Sequence, residues 1–189
     1  MQIAIMDKTN ASQNTIEAVL ALQKSLRYDA IKGTSRGFLV GIYSSQFLLN
    51  LLKDGAKIWV SLENDELLGY VITISSGHLF QLAGNGGKIN LSVPQIEVEA
   101  ALYIYQIGVK SSMQGTNIGR RLIAAIMAEQ SEPSIVADIL VEPITNKGSI
   151  SFFTKCGFVK VGYLKAKDQY GFEKLGTDIF FRAKSAIIL

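Results

Sequence analysis

Val109-Lys110-Ser111-Ser112-Met113-Gln114-Gly115-Thr116-Asn117-Ile118-Gly119-Arg120-Arg121 joins two kinds of hydrophobic pattern. Before it, Val98, Ala100, Leu102 and Ile104 are apolar, while Glu97, Glu99, Ala101, Tyr103 and Tyr105 are mostly polar or amphipathic. That period of two predicts a strand over 97–109, with one face on a core and the other free to line a site. After it, Ile118, Leu122, Ile123, Ile126 and Met127 recur at helical spacing and predict a helix over about 118–130. Between the two, Gly115 and Gly119 let the backbone turn tightly and lie close to a ligand. The first N–H groups of a helix lack intrahelical partners and sit at the positive end of the macrodipole, so the junction suits an anion. Arg120 and Arg121 oppose that dipole by about 0.3–1 kcal/mol each, a sign that a bound pyrophosphate would reverse. An ordinary turn capped by Thr116 or Asn117 accounts for the same residues. Neither the G-x-x-x-x-G-K-[ST] phosphate loop nor the G-x-G-x-x-G dinucleotide pattern is present.

Working outward, Gln2–Met6 reads as a strand. Asn14 and Glu17 have capping-box spacing before a helix over about 15–27. Residues 28–36 read as a loop. Ser45–Lys53 carries one apolar stripe, with Gly55 just past its end. Ile58–Leu62 and Leu67–Ser75 form a hairpin across Glu63-Asn64-Asp65. Gly77–Pro94, rich in Gly and Asn, reads as a long functional loop. Ile135–Val141 is a strand, Ser149–Cys156 a short helix ended by Gly157, and Phe158–Leu164 with Asp178–Lys184 a final strand pair. This order, without linker or repeat, predicts one α/β domain over residues 1–189: a mixed sheet with helices on both faces.

Composition bounds the function. The 189 residues are 48% hydrophobic and 19% charged, enough for a sizeable core and unlike a disordered chain. A net charge of +3 does not mark a dedicated nucleic-acid binder. Residues 142–189 hold 8 basic and 4 acidic side chains, which suits an anionic ligand or a solvated surface equally. A single cysteine, Cys156, excludes an intrachain disulfide and a multi-cysteine zinc site, and one histidine, His78, excludes a histidine-rich metal cage. Met1–Asn10 lacks a secretory pattern, and Phe38–Leu52 is too short and polar to span a bilayer. The expectation is a cytoplasmic protein.

Gln114-Gly115-Thr116-Asn117-Ile118-Gly119 resembles the Q/R-x-x-G-x-G/A signature of the GNAT superfamily of acyl-CoA-dependent N-acetyltransferases. A second block agrees. Asn146-Lys147-Gly148-Ser149-Ile150-Ser151-Phe152-Phe153-Thr154-Lys155-Cys156-Gly157-Phe158 is similar to that family's N-x-x-A-x-x-F-Y-x-x-x-G-F helix. The resemblance implies a central mixed, mostly antiparallel sheet and acetyl-CoA as co-substrate, without a metal. It implies that the amides of Gln114, Gly115, Thr116, Asn117, Ile118 and Gly119, with Arg120 at the helix start, hold the pyrophosphate. Ile107, Gly108 and Val109 would hydrogen-bond the acyl and pantetheine part. Asn146 would contact the pantetheine or cap the next helix. Two positions depart from the pattern. Asn117 replaces a glycine, and asparagine tolerates a left-handed backbone. Phe153 replaces a tyrosine whose hydroxyl protonates the leaving thiolate in many members.

The function implied is acetyl transfer to a primary amine by direct attack in a ternary complex. The acceptor is a small molecule or a peptide; no nucleic acid or membrane partner is expected, and a homodimer is left open. The amine must lose a proton, and Glu99 or Tyr103, on the polar face of the 97–109 strand, is expected on that path. The first two helices, Ser35-Arg36-Gly37-Phe38 and the 77–94 loop should shape the acceptor site. Cys156, with no nearby histidine and at a helix end, reads as packing. His78 reads as a loop residue without a catalytic role. Phe153 keeps a second class open: a non-catalytic acyl-CoA-binding module of the same fold.

Overall fold

The computed structural model describes residues 1–29, 37–84, 87–129, 134–169 and 172–183. The elements are β1 (Gln2–Met6), α1 (Gln13–Ser25), α2 (Ser45–Lys53), β2 (Lys57–Glu63), β3 (Glu66–Ser75), α3 (Gly77–Gly84), β4 (Lys88–Leu91), α4 (Gln95–Glu99), β5 (Leu102–Val109), α5 (Ile118–Glu129), β6 (Ser134–Glu142), α6 (Lys147–Lys155), β7 (Val159–Gln169) and β8 (Phe172–Ala183). Neighbouring strands are hydrogen-bonded in the order β1-β2-β3-β5-β6-β8-β7-β4. The β5–β6 pair is parallel, and β1–β2, β2–β3, β4–β7, β6–β8 and β7–β8 are antiparallel. This is the mixed, mostly antiparallel sheet with helices that the resemblance implies. The chain divides into two compact units: residues 1–74 with 105–129, and residues 75–104 with 130–189.

In the first unit, β2 and β3 join through Asn64 and Asp65, both at positive φ (49° and 63°), residues that tolerate the left-handed turn of a tight hairpin. Val60 and Tyr70, and Trp59 and Val71, pair across the two strands and are buried to 2% or less. Burial of successive residues on β3 shows that both sheet faces are covered. Helix α5 contributes Ile118, Leu122, Ile123 and Ile126, all within 3% exposure. Each stabilises by about 1.5–3 kcal/mol. Helix α1 starts at Ser12, whose hydroxyl accepts from the Thr15 amide at 3.1 Å, rather than at Asn14. Helix α2 stops at Gly55 (φ 94°): the Gly55 and Ala56 amides return to the Leu52 and Leu51 carbonyls, a Schellman closure.

In the second unit, two sequence expectations are corrected. The 77–94 stretch is not one loop: it holds α3, with Leu79 fully buried, and β4, which pairs with β7. At Gly162 on β7, a Cβ would lie 2.2 Å from the Asn90 carbonyl oxygen, so glycine is what lets β4 lie this close. The 97–109 strand begins only at Leu102. Residues 95–99 form α4 behind Pro94, a residue suited to a helix start. One turn of helix satisfies the same apolar pattern, because Val98 is buried while Ile96 is 70% exposed.

Candidate functional site

The first unit carries the glycine-bearing junction. After Val109 the chain makes a 3-10 turn, Ser111–Met113, and enters α5 through Gln114–Asn117. Gln114 Nε2 donates to the Val109 carbonyl at 3.1 Å, strapping the loop to the strand it leaves. Lys110 forms an ion pair with Glu66, and its amide donates to the Leu68 carbonyl at 2.8 Å. Gly115 has φ 85°, is exposed, and has open space where a Cβ would stand. The left-handed residue is therefore Gly115, while Asn117 is not among the positive-φ residues. The Asn117 carbonyl instead accepts the Arg121 amide at 2.9 Å and opens α5. The amides of Ile118, Gly119 and Arg120 then occupy the positions that lack intrahelical acceptors. The Gln114 and Thr116 amides close the turn on the Ser111 and Met113 carbonyls at 3.4 and 3.3 Å. An exposed glycine with open space beside it, a helix start, and exposed Arg120 and Arg121 thus stand together, the arrangement that favours an anionic group.

On β5, the ladder to β6 covers Leu102–Ile104, so Ile107–Val109 lie past the last pair. Gly108 is needed for packing: a Cβ there would meet Tyr70 Cε1 at 2.6 Å. Gln106, buried on the face expected to be apolar, is satisfied. Its Oε1 accepts from the Tyr70 hydroxyl at 2.6 Å and its Nε2 donates to the Gly41 carbonyl at 3.1 Å. Burial pushes the Tyr70 phenol well above its usual range, which keeps it a donor. Gln23 Oε1 accepts the Tyr43 amide at 3.2 Å. These bonds fix residues 41–43, and the half-buried rings of Tyr43, Phe47 and Tyr105 stack with centroids 4.6 and 5.3 Å apart. Of 35–38, Phe38 packs edge-on against Tyr28 at 4.9 Å, while Ser35 and Arg36 lie outside the described residues.

The second unit holds the other expected residues. Glu99 is exposed on α4, where its carboxylate accepts from Gln95 at 2.6 Å; it does not share a strand face with Tyr103. Tyr103 is 2% exposed and donates to Asp138 Oδ1 at 2.5 Å. His78 lies on α3 rather than in a loop, with its ring stacked on that of Tyr103 at 6.4 Å. Burial raises the Asp138 carboxyl above its ordinary value, opposed chiefly by the Tyr103 hydroxyl and also by His78. The same burial lowers His78, opposed by Asp138. Sequence reasoning passed over Asp138. Its signal was a lone acid inside the apolar run Ile135-Val136-Ala137-Asp138-Ile139-Leu140-Val141.

The second motif block is a helix with both ends closed. Asn146 Oδ1 accepts the Ser149 amide at 3.2 Å, so Asn146 takes the capping option. At the other end Gly157 has φ 82°, and the Gly157 and Phe158 amides return to the Thr154 and Phe153 carbonyls at 3.0 and 3.1 Å. This Schellman closure brings the Phe153 and Phe158 rings edge-to-face at 5.0 Å. Phe153 is 3% exposed and Cys156 is buried.

Among the described residues no His, Cys, Asp and Glu group is arranged to hold a metal, and no helix is long and apolar enough to cross a membrane. No curated protein matches the chain by sequence. The structure resembles an N-acetyltransferase from Staphylococcus aureus Mu50 (TM-score 0.61, 18% identity, 98% of this chain and 100% of that one). It also resembles Arabidopsis thaliana NAA60 bound to a bisubstrate analogue (0.60, 16%, 96% and 98%). A third likeness is yncA of Salmonella typhimurium, solved with acetyl-CoA (0.61, 15%, 100% and 98%). These likenesses show the fold. The model of the acetyltransferase (GNAT) family matches residues 27–158, most of the chain and both motif blocks up to Phe158. The chain belongs to the GNAT family of acetyltransferases.

Proposed function

We propose that this protein transfers an acetyl group from acetyl-CoA to a primary amine by direct attack in a ternary complex. The observation that carries the reading is the cradle at Gln114–Arg120, where an exposed positive-φ glycine leaves open space at a helix start. The solved yncA structure with acetyl-CoA supports it by likeness of fold. Acetyl-CoA supplies the activated acyl group as a thioester. Main-chain amides of Gly115 and of Asn117 to Arg120 hold the pyrophosphate, while those of Gln114 and Thr116, expected to join them, are engaged in closing the turn. The Ile107–Val109 edge, past the β6 ladder, hydrogen-bonds the pantetheine, and an amide near Val109 polarises the acyl carbonyl.

Phe153 cannot protonate the leaving sulfur, and its burial against Phe158 makes it a packing residue. A thiol with a pKa near 8.5 leaves tolerably as the thiolate, so this absence does not stop transfer. Phe153 is also the one feature that favours a binder without transfer. Calorimetry with CoA and with unphosphorylated pantetheine tests the cradle, and tighter binding of CoA is expected. Thiol release from acetyl-CoA with a panel of primary amines tests transfer. Equal affinity for both ligands overturns the pyrophosphate site. Tight CoA binding with no transfer to any amine establishes the binder.

A further inference from the structure

We propose that Tyr43, Phe47 and Tyr105 form a binding site for an arylalkylamine: an uncharged aromatic group joined to one primary amine by a short alkyl chain. That this amine is the acceptor rests on the acetyl-transfer reading above; the ring site itself does not. All three residues belong to the first unit, which also carries the glycine-bearing junction.

The rings come from two places in that unit. Tyr43 directly precedes Ser44, whose hydroxyl accepts the Phe47 amide at 3.1 Å and starts α2. This cap turns the chain so that the Tyr43 and Phe47 rings meet, 4.6 Å apart and 18° from parallel. Tyr105 comes from β5, with its ring 5.3 Å from Tyr43 and 6.4 Å from Phe47 and within 28° of both. Phe47 and Tyr105 stand too close to each other to lie on opposite faces of Tyr43. The rings therefore form a patch rather than a closed column, and each is half-buried, so ring surface is left for a further aromatic group.

The patch is held by polar groups that a core does not require. Gln23 and Gln106 are buried amides where leucine would pack without a desolvation cost. Each grips one end of residues 41–43: Gln106 Nε2 donates to the Gly41 carbonyl, and Gln23 Oε1 accepts the Tyr43 amide. The Tyr70 hydroxyl in turn donates to Gln106. A buried network of this kind specifies one backbone position. Here that backbone is the one that lays Tyr43 on Tyr105.

Strand geometry sets the patch beside the stretch proposed for the acyl group. Alternate strand residues share a face, so Tyr105, Ile107 and Val109, all half-buried, line one face of β5, while Gln106 and Gly108 are buried on the other. Tyr105 and Ile107 lie about 7 Å apart along the strand. A short alkyl chain covers that span, so a group stacked on the rings presents its amine to the Ile107–Val109 edge.

Charge narrows the class of ligand. Residues 30–53 and 100–128, which contain the three rings and the junction, hold six Lys and Arg but no Asp or Glu. Asp29, Glu63 and Glu66, acids of the same unit, are paired with Arg27, the N-terminal ammonium and Lys110. A ligand with several ammonium groups finds no carboxylate on these segments and meets like charge instead. A single ammonium on an aromatic body suits rings without acids.

Calorimetry tests the site, on the free protein and on protein saturated with CoA. The probes are 2-phenylethylamine, 2-cyclohexylethylamine, which has no π face, and spermidine. The wild type should bind 2-phenylethylamine tightest of the three. Tyr43→Leu, Phe47→Leu and Tyr105→Leu each remove a ring and keep apolar bulk. Each should weaken 2-phenylethylamine by about 3–10-fold, bring it level with 2-cyclohexylethylamine, and leave CoA affinity within about twofold. Thiol release from acetyl-CoA with the same amines tests the acceptor class, and the ring variants should raise KM for 2-phenylethylamine more than they lower kcat. If one variant fails to fold, the other two decide. Wild-type protein that binds 2-cyclohexylethylamine as tightly, or folded ring variants that all keep wild-type affinity, overturn the site. Faster transfer to spermidine or to an aminoglycoside than to 2-phenylethylamine overturns the acceptor class and leaves acetyl transfer standing. Ring-dependent binding with no transfer to any amine keeps the site and removes the acetyl-transfer reading.

Discussion

Gly115→Val separates the backbone of the anion cradle from the stability of the fold. Gly115 sits at φ 85° with open space around a would-be Cβ, so the substitution meets no clash. Its cost is backbone strain. An L-residue in the left-handed region loses about 1–2 kcal/mol, and a β-branched one is a genuine outlier there. Gly55, at φ 94° and equally open, is a matched control far from the loop in sequence, since its work is to stop α2. Gly55→Val should therefore lower Tm by about 2–8 °C, at about 2–4 °C per kcal/mol for a chain of this size. It should leave CoA affinity within about twofold. Gly115→Val can shed strain in the free protein by moving an exposed loop, so its Tm loss should be no larger. The strain it sheds must be restored on binding, and the new side chain occupies the open space over the amides. CoA affinity should fall at least 5–30-fold, the equivalent of about 1–2 kcal/mol. Thermal melts and calorimetry on both variants measure the two losses. Unchanged CoA affinity in Gly115→Val, beside a destabilised Gly55→Val, would refute the cradle as the ligand site.

Three further outcomes follow from the geometry. Gly162→Ala drives a Cβ to 2.2 Å from a backbone oxygen, so β4 must lift. We expect a loss of about 1–3 kcal/mol and faster amide exchange at residues 88–91, and unchanged exchange there would contradict the close packing. Phe153→Leu loses the ring pair with Phe158, worth about 0.5–1.5 kcal/mol, yet should keep turnover within about tenfold; a larger drop in rate at intact fold would give Phe153 a role in chemistry. Asp138 has its carboxyl raised in the folded state, so its protonated form favours folding. That contribution is whole below the unfolded value of about 3.9 and is lost as pH rises through the raised value. Asp138→Asn should gain in Tm relative to wild type between pH 4 and pH 8, and the opposite trend in melts across that range would show that burial does not dominate there.

Elements whose signal is local were legible in the sequence. Ser45–Lys53 carries its own stripe and stop, and α5 its buried Ile118, Leu122, Ile123 and Ile126; both were read nearly to the residue. What misled was pattern without partner. Residues 95–99 alternate as a strand would, but only Val98 needs burial, and one helical turn supplies it. The four-residue β4 exists because Gly162 lets it lie against β7, a fact written about seventy residues away. The glycine, helix start and arginines on which the proposed cradle rests were legible because they are contiguous. The Asp138 cluster was not, because it draws single residues from α3, β5 and β6, none with a neighbour that advertises it. Tyr103 was read as lining an open face, whereas it is enclosed, and its partner and its enclosure depend on pairing that no local window contains.

The closure of α6 bears on how chains of this kind diversify. Asn146, Phe153, Gly157 and Phe158, four letters of the second block, are engaged in starting and stopping a helix and in locking its exit. What they secure is the direction in which the chain enters β7. A lineage can exchange one acceptor for another, or give up transfer altogether, without disturbing them, because no change of reaction relieves the need for that exit angle. The block thus answers to the path of the chain. A substitution within it is felt first as a change in where β7 begins, before any change at a ligand.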